Sequence, residues 1–324
     1  MRLALPPRPA LAGLSTWRGL GWFWLATLAS LGALGVALQL LGPLPSAPVG
    51  PAPRALPGPI AGPDAALLDP VQSEPGRFLP RIGKGGRTPM AAYAAPFAGR
   101  AGPRVGLIVA GVGLDHAASE ALVRDLPGGV TLAVSPYAHD LAQLLAVARE
   151  RRDETLISIP MEPRGAGLDD PGDRALMTSL PAKENARRLD WALSRITGYV
   201  GATGALGRLR GEKFAAQPDL LDPVLHTLAG RGLLYVDPRP GIARPAGLAG
   251  RTVDVVVDDD APAEAVDAQL AELGRIAREH GSALGLAGAV RPVSVARIKA
   301  WMKGLPAQGL VLAPVSALVA PPAR

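Results

Sequence analysis

From Arg104 onward the chain alternates short apolar runs with amphipathic stretches, and that alternation restricts it to a small set of folds. The expected strands are Val105–Val109, Val130–Ser135, Thr155–Pro160, Tyr199–Ala202, Leu233–Val236, Val253–Val257, Ala283–Leu286 and Leu310–Ala313. They are rich in β-branched residues and apolar throughout, as strands buried on both faces should be. Between them, Asp140–Arg152 places Leu141, Leu144, Leu145 and Ala148 on one helical face, and Asn185–Ile196 and Pro262–His280 are patterned alike. Asp260 suits the cap of the last helix, Pro262 its first turn and Gly281 its stop. Strands separated by helices specify a parallel sheet covered by helices, in one α/β domain of about 215 residues.

The first strand runs Val105-Gly-Leu-Ile-Val-Ala-Gly-Val-Gly-Leu-Asp115 into a turn of small residues. In such folds the carboxyl ends of the strands display the reacting groups. Here that end carries Ala110 and Gly111, which can neither bind a metal nor move a proton. Either the chemistry sits elsewhere or there is none.

Composition removes several function classes. The chain has no cysteine, which excludes thiolate metal sites, thiol nucleophiles and disulfides. Its four histidines, His116, His139, His226 and His280, are scattered without ligand spacing. The net charge of +6 is not a nucleic-acid footprint, because residues 104–320 hold 24 Lys+Arg against 25 Asp+Glu. The excess is N-terminal, with nine basic against three acidic residues over 1–103, so no nucleic-acid partner is expected.

Residues 19–41 form an uncharged apolar run of 23 residues, the length of a bilayer-spanning helix. Arg2, Arg8 and Arg18 precede it, which places the short basic segment 1–18 in the cytoplasm and the remainder on the periplasmic or outer side. Trp17, Trp22, Phe23 and Trp24 sit at its cytoplasmic end, as interfacial aromatics do. The competing reading is a cleaved signal peptide. The run is long for that, and Pro48 after Ser46-Ala47 would hinder cleavage, so an anchor is expected. Residues 42–103 hold 14 of the 34 prolines and show no hydrophobic period. They read as a disordered, semi-extended linker.

Familiar motifs fail in context. Gly111-Val-Gly113 follows a strand, but the third glycine of a dinucleotide turn would be His116, and the second strand ends in Ser135-Pro136 rather than an acid. Neither a phosphate-binding G-x-x-x-x-G-K-[ST] loop nor a G-x-S-x-G elbow occurs. Asp169-Asp-Pro-Gly-Asp173 reads as a solvated turn, since Pro-Gly marks one.

More specific are Thr131-Leu-Ala-Val-Ser-Pro-Tyr-Ala138, Ile157-Ser-Ile-Pro-Met-Glu-Pro163 and Asp254-Val-Val-Val-Asp258-Asp-Asp260. Leu233-Leu-Tyr-Val-Asp237-Pro-Arg239 and Trp301 with Gly309-Leu-Val-Leu-Ala-Pro-Val-Ser316 complete the series. In order and spacing these segments resemble the divergent polysaccharide deacetylase family over roughly Arg104–Val319. The resemblance implies a distorted (β/α) barrel of the polysaccharide deacetylase type, here preceded by one transmembrane helix and the Pro-rich tether. It also implies an exported or membrane-tethered protein of the cell envelope. A deacetylase of this kind uses a divalent metal to polarise the acetyl carbonyl and activate water, with a carboxylate as base.

The matching positions depart from that pattern. The family's paired aspartates fall on Ala110 and Gly111, a metal-site histidine falls on Ala205, and Leu286-Ala-Gly-Ala-Val290 lacks the histidine of a later turn. No metal cofactor is therefore expected. Glu162, Asp237, Arg239 and Asp258 remain as a candidate substrate groove at the barrel mouth. Asp115, His116, Asp237 and Asp258 are the candidate catalytic residues of a rearranged site. The competing role for strand-end carboxylates is to cap helices and satisfy loop N–H groups. The leading expectation is a membrane-tethered deacetylase-like module that binds a glycan or an envelope protein. The alternatives are an active carbohydrate deacetylase with a rearranged site and a purely structural envelope protein.

Overall fold

The computed structural model describes Trp22, residues 24–28, Ser30, and residues 58–97, 102–165, 169–257, 262–288 and 292–319. The chain divides into two compact units, Met1–Arg54 and Ala55–Arg324. In the first, Trp22, residues 24–28 and Ser30 are helical, and Ser30 Oγ donates to the Ala26 carbonyl at 2.8 Å. The rest of the 19–41 run lies outside the described residues. Among the described residues no helix is long and apolar enough to cross a membrane.

The second unit is an α/β fold with a curled parallel sheet. Two short strands come first, β1 (Leu68–Pro70) and β2 (Phe78–Pro80), paired antiparallel. The main sheet comprises β3 (Arg104–Val112), β4 (Thr131–Val134), β5 (Glu154–Ser158), β6 (Gly201–Thr203), β7 (Leu234–Asp237), β8 (Gly250–Thr252), β9 (Val255–Val257), β10 (Ser282–Ala287) and β11 (Val311–Leu312). Its order is β8-β7-β6-β5-β4-β3-β10-β9, with β11 beside the start of β3 and every pairing parallel.

The two ends of that order are neighbours in sequence. Val253 N donates to the Asp237 carbonyl of β7 at 3.0 Å, and Asp254 N donates to Leu284 of β10 at 2.8 Å. One segment therefore begins beside β7 and finishes beside β10, so the sheet curls round on itself like a barrel. The run Val253–Val257, expected as one strand, is here a two-residue crossing that follows β8, and then β9. Asp254 fastens the crossing by accepting from Arg251 (2.8 Å) and from Leu284 N (2.7 Å).

Helices α1 (Pro89–Tyr93), α2 (His116–Asp125), α3 (Ala142–Glu150), α4 (Ala182–Leu193), α5 (Glu212–Ala215), α6 (Pro218–Gly230), α7 (Ala263–His280) and α8 (Pro292–Gly304) complete the described fold. The longest, α7, buries Val266, Leu270, Leu273 and Ala277 at helical spacing and stops at Gly281, whose φ is +79°. Val266, Leu270 and Leu273 each contribute about 1.5–3 kcal/mol by leaving water. Pro262 stands one residue before the helix rather than within its first turn, and Asp260 lies outside the described residues.

Strand residues alternate between a helix-covered outer face and the barrel interior. Outward, Leu107, Val109, Leu132, Val134, Ile157 and Tyr235 share one core with the helices. Inward, Ile108, Ala133, Leu156, Leu234 and Val236 form another. The interior has a polar floor, where Thr131 pairs in register with Glu154, and a polar upper layer, where Ser158 pairs with Thr203.

The linker expected over 42–103 requires correction for residues 58–97, which are built into this unit. Ile60, Leu67, Tyr93 and Ala95 are buried in the interior core. Tyr93 Oη accepts from Asp64 N at 3.0 Å, and Arg231 Nη1 donates to the Pro80 carbonyl at 3.1 Å. A few isolated apolar anchors hold this strap, with no period to betray them. Proline fixes φ in the unfolded chain as well, so ordering the strap costs less than its irregularity suggests.

Candidate functional site

The carboxyl ends of the strands converge on a mouth whose first feature is the end of β3. Val109 pairs with Leu132 and Val112 with Val134, so β3 carries one extra residue against β4, a β-bulge at Ala110–Gly111. Gly111 has φ +76°, a left-handed conformation that disfavours any residue with a Cβ. A Cβ there would also stand 3.2 Å from Gly207 Cα. Gly207 belongs to the loop after β6, which turns tightly where Leu206 N donates to Leu209 O (2.8 Å) and Leu209 N to Leu206 O (3.0 Å). The loop thus reaches across to the end of β3. Ala110 and Ala205 are both fully buried in the interior core. Gly111→Asp is expected to lower stability by about 2 kcal/mol, from the left-handed backbone and the contact with Gly207. Thermal melts check this, and a variant as stable as the wild type would refute it.

Two polar clusters flank this closed corner. Beyond β5, Glu162 Oε1 accepts from Lys213 Nζ at 2.5 Å, while Oε2 accepts from Thr178 N (2.7 Å) and Thr178 Oγ1 (2.6 Å). Burial opposes ionisation of Glu162. The Lys213 ammonium and the Thr178 donors outweigh it, and the carboxyl is held below the usual carboxylate range. At the end of β7, Asp237 and Arg239 form a two-pronged pair, Nε to Oδ1 at 2.9 Å and Nη2 to Oδ2 at 2.6 Å. Asp237 Oδ1 also accepts Arg239 N at 3.0 Å. Both side chains are largely buried, and the carboxylate raises the guanidinium pKa. These carboxylates are committed to neighbours in their own fold.

The other expected site residues are not brought together. Asp115 caps α2, accepting from Ala118 N at 2.9 Å. His116 is half exposed at the start of that helix, its Nδ1 3.8 Å from Glu120. Asp258 lies outside the described residues. Asp169 pairs with Arg208 at 2.9 Å and Asp170 accepts from Gly172 N, as in a solvated turn. Among the described residues no group of three or more His, Cys, Asp or Glu is placed to hold a metal ion.

Several residues of the mouth escaped the sequence reading. Lys213 and Thr178 lie 51 and 16 positions from the carboxylate they hold. Ser135, Ser158 and Thr203 are buried hydroxyls at the ends of adjacent strands. Thr203 accepts Ala205 N at 3.3 Å and Ser135 accepts Tyr137 N at 3.2 Å. Ser158 Oγ has no partner among the described residues. Their sequence signal is an apolar run ending in Ser135-Pro136 or Thr203-Gly204, or in Ser158 two residues before Pro160.

Residues 107–319 match the family described as divergent polysaccharide deacetylase. No curated protein matches the chain. Among solved structures, an uncharacterized protein from Agrobacterium tumefaciens C58 is 34% identical, with a TM-score of 0.67, covering 74% of this chain and 99% of its own. The catalytic domain of peptidoglycan N-acetylglucosamine deacetylase from Eubacterium rectale ATCC 33656 is 14% identical, with a TM-score of 0.42 over 70% of this chain and 94% of its own. A family 4 carbohydrate esterase from Streptomyces lividans in complex with acetate is 15% identical, with a TM-score of 0.44 over 69% and 100%.

Proposed function

The chain belongs to the divergent polysaccharide deacetylase family, and from that membership we propose a deacetylase-type fold that has given up its metal site and serves as a glycan- or partner-binding module of the cell envelope. The observation that carries this reading is the closed corner at Ala110, Gly111, Ala205 and Gly207. Alanine and glycine supply no donor to a divalent ion, and the loop backbone stands where a ligand side chain would have to project from Gly111. A divalent metal does not fit these residues. The geometry of Asp115 and His116 does not favour a substitute, since one caps a helix and the other faces Glu120 in solvent.

The tether is part of the same proposal. Trp22, Trp24, Leu25 and Leu28 are helical and 57–75% exposed. Large apolar side chains left together in this way call for a non-aqueous neighbour. The uncharged run 19–41 supplies the length of a span.

The test uses the unit Ala55–Arg324, which carries its own core. After dialysis against zinc it is expected to retain the metal far below one ion per chain and to release no acetate from acetylated chito-oligosaccharides. Stoichiometric zinc together with chelator-sensitive acetate release would sink the proposal.

A further inference from the structure

A cavity lies at the opposite end of the sheet from the mouth. It has a volume of about 970 Å³, the size of sites that enclose small organic ligands. One wall is apolar, from Phe97, Met302, Leu305, Leu310 and Leu312. A charged wall comes from the turn between α3 and β5, with Glu150, Arg151 and Arg152. That turn packs against Gly128, where a Cβ would stand 2.1 Å from the Arg151 carbonyl. Asp153 pins the same contact by accepting Gly129 N (2.7 Å) and Val130 N (3.1 Å). The wall is therefore fixed from behind.

Arg152 is the unusual residue. Its N–H donates to Arg149 O at 3.1 Å and the next N–H, of Asp153, to Ala148 O at 2.9 Å. This is the left-handed termination of a helix, at the position where glycine is the ordinary choice. Arg152 instead holds φ +66° with a long cationic side chain. Strain kept at a non-glycine residue points to a use for its side chain. That side chain is exposed on the cavity wall and has no hydrogen-bond or ion-pair partner among the described residues.

We propose that this cavity binds a free, single-chain anionic amphiphile of the fatty-acid type, its alkyl chain on the apolar wall and its carboxylate at Arg152. The probe is dodecanoate below its micelle concentration, titrated calorimetrically into the unit Ala55–Arg324. One molecule per chain is expected to bind. Dodecyltrimethylammonium, with the same chain and the opposite charge, is expected to bind at least about tenfold more weakly. Arg152→Glu and Arg152→Gly are each expected to weaken dodecanoate about tenfold or more. Arg152→Gly removes the charge and the backbone strain together, so its melting temperature is expected to rise while its affinity falls. That separates loss of the head-group contact from loss of the fold. Equal affinity for the two amphiphiles, unchanged affinity in both Arg152 variants, or no saturable binding would each overturn the proposal.

Discussion

Glu154→Ala is expected to destabilise the unit by about 3–5 kcal/mol and to free the N-terminal strap. Glu154 opens β5 and is fully buried on the barrel floor. Its Oε1 accepts Ala95 N at 2.8 Å and the Ser316 hydroxyl, and its Oε2 accepts Ser316 N at 2.9 Å. One carboxyl thus ties the end of the strap and the C-terminal turn to the same strand. Burial raises its pKa, against the lowering donors of Ser316 and Ala95. Truncation leaves the buried Ala95 N and the two partly buried donors of Ser316 without their acceptor, an unmade bond to a buried donor costing about 1–3 kcal/mol before the structure relaxes. It also opens a void at the floor. Urea denaturation gives the stability change, and limited proteolysis within 58–97 reports the strap. A midpoint within error of the wild type would show that the floor does not depend on this carboxyl. Loss of stability with the strap still protected would show that the strap is held by Leu67 and Tyr93 instead.

What the sequence conveys about this fold follows the range of the interactions involved. All eight apolar runs form strands of the main sheet, because burial on both faces leaves a local signature that needs no knowledge of the partner. The exchange of partners at Val253–Asp254 is invisible locally, since it depends on where β7 and β10 stand after the sheet has curled. The strap is illegible in the sequence for a related reason. Leu67 and Tyr93 are single anchors among prolines, and only the completed barrel offers them a surface. At the mouth, Glu162, Asp237 and Arg239 are recognisable as polar groups at strand ends. Nothing in the sequence shows that Lys213 and Thr178 engage the first, or that the other two engage each other. The consequence is chemical, because carboxylates free to act in the sequence are in the structure already neutralised. The reach of Gly207 to Gly111 explains why the blank strand end is compact rather than an empty site.

Asp153→Asn is expected to make the unit more stable than the wild type at pH 8 by a few kcal/mol, with little difference at pH 4. Asp153 is almost completely buried, and that burial pushes its carboxyl up to about 7 from 3.8, against the lowering amides of Gly129 and Val130 and the charge of Arg151. The folded chain therefore keeps a proton that the unfolded chain releases between about pH 4 and pH 7. Stability from this group is complete below pH 4 and is lost as the pH rises towards 7, at about 1.4 kcal/mol per unit. Asparagine keeps an Oδ1 that can accept from Gly129 and Val130, at 2.7 and 3.1 Å in the wild type, and has no proton to lose. The raised pKa of the neighbouring Glu154 gives a dependence of the same sign, but that contribution is common to both proteins and cancels in their difference. Urea melts of both proteins at unit intervals from pH 4 to pH 8 provide the test. A wild-type-minus-variant difference that stays constant across that range would mean Asp153 is already ionised in the fold, with the two amides and Arg151 outweighing its burial.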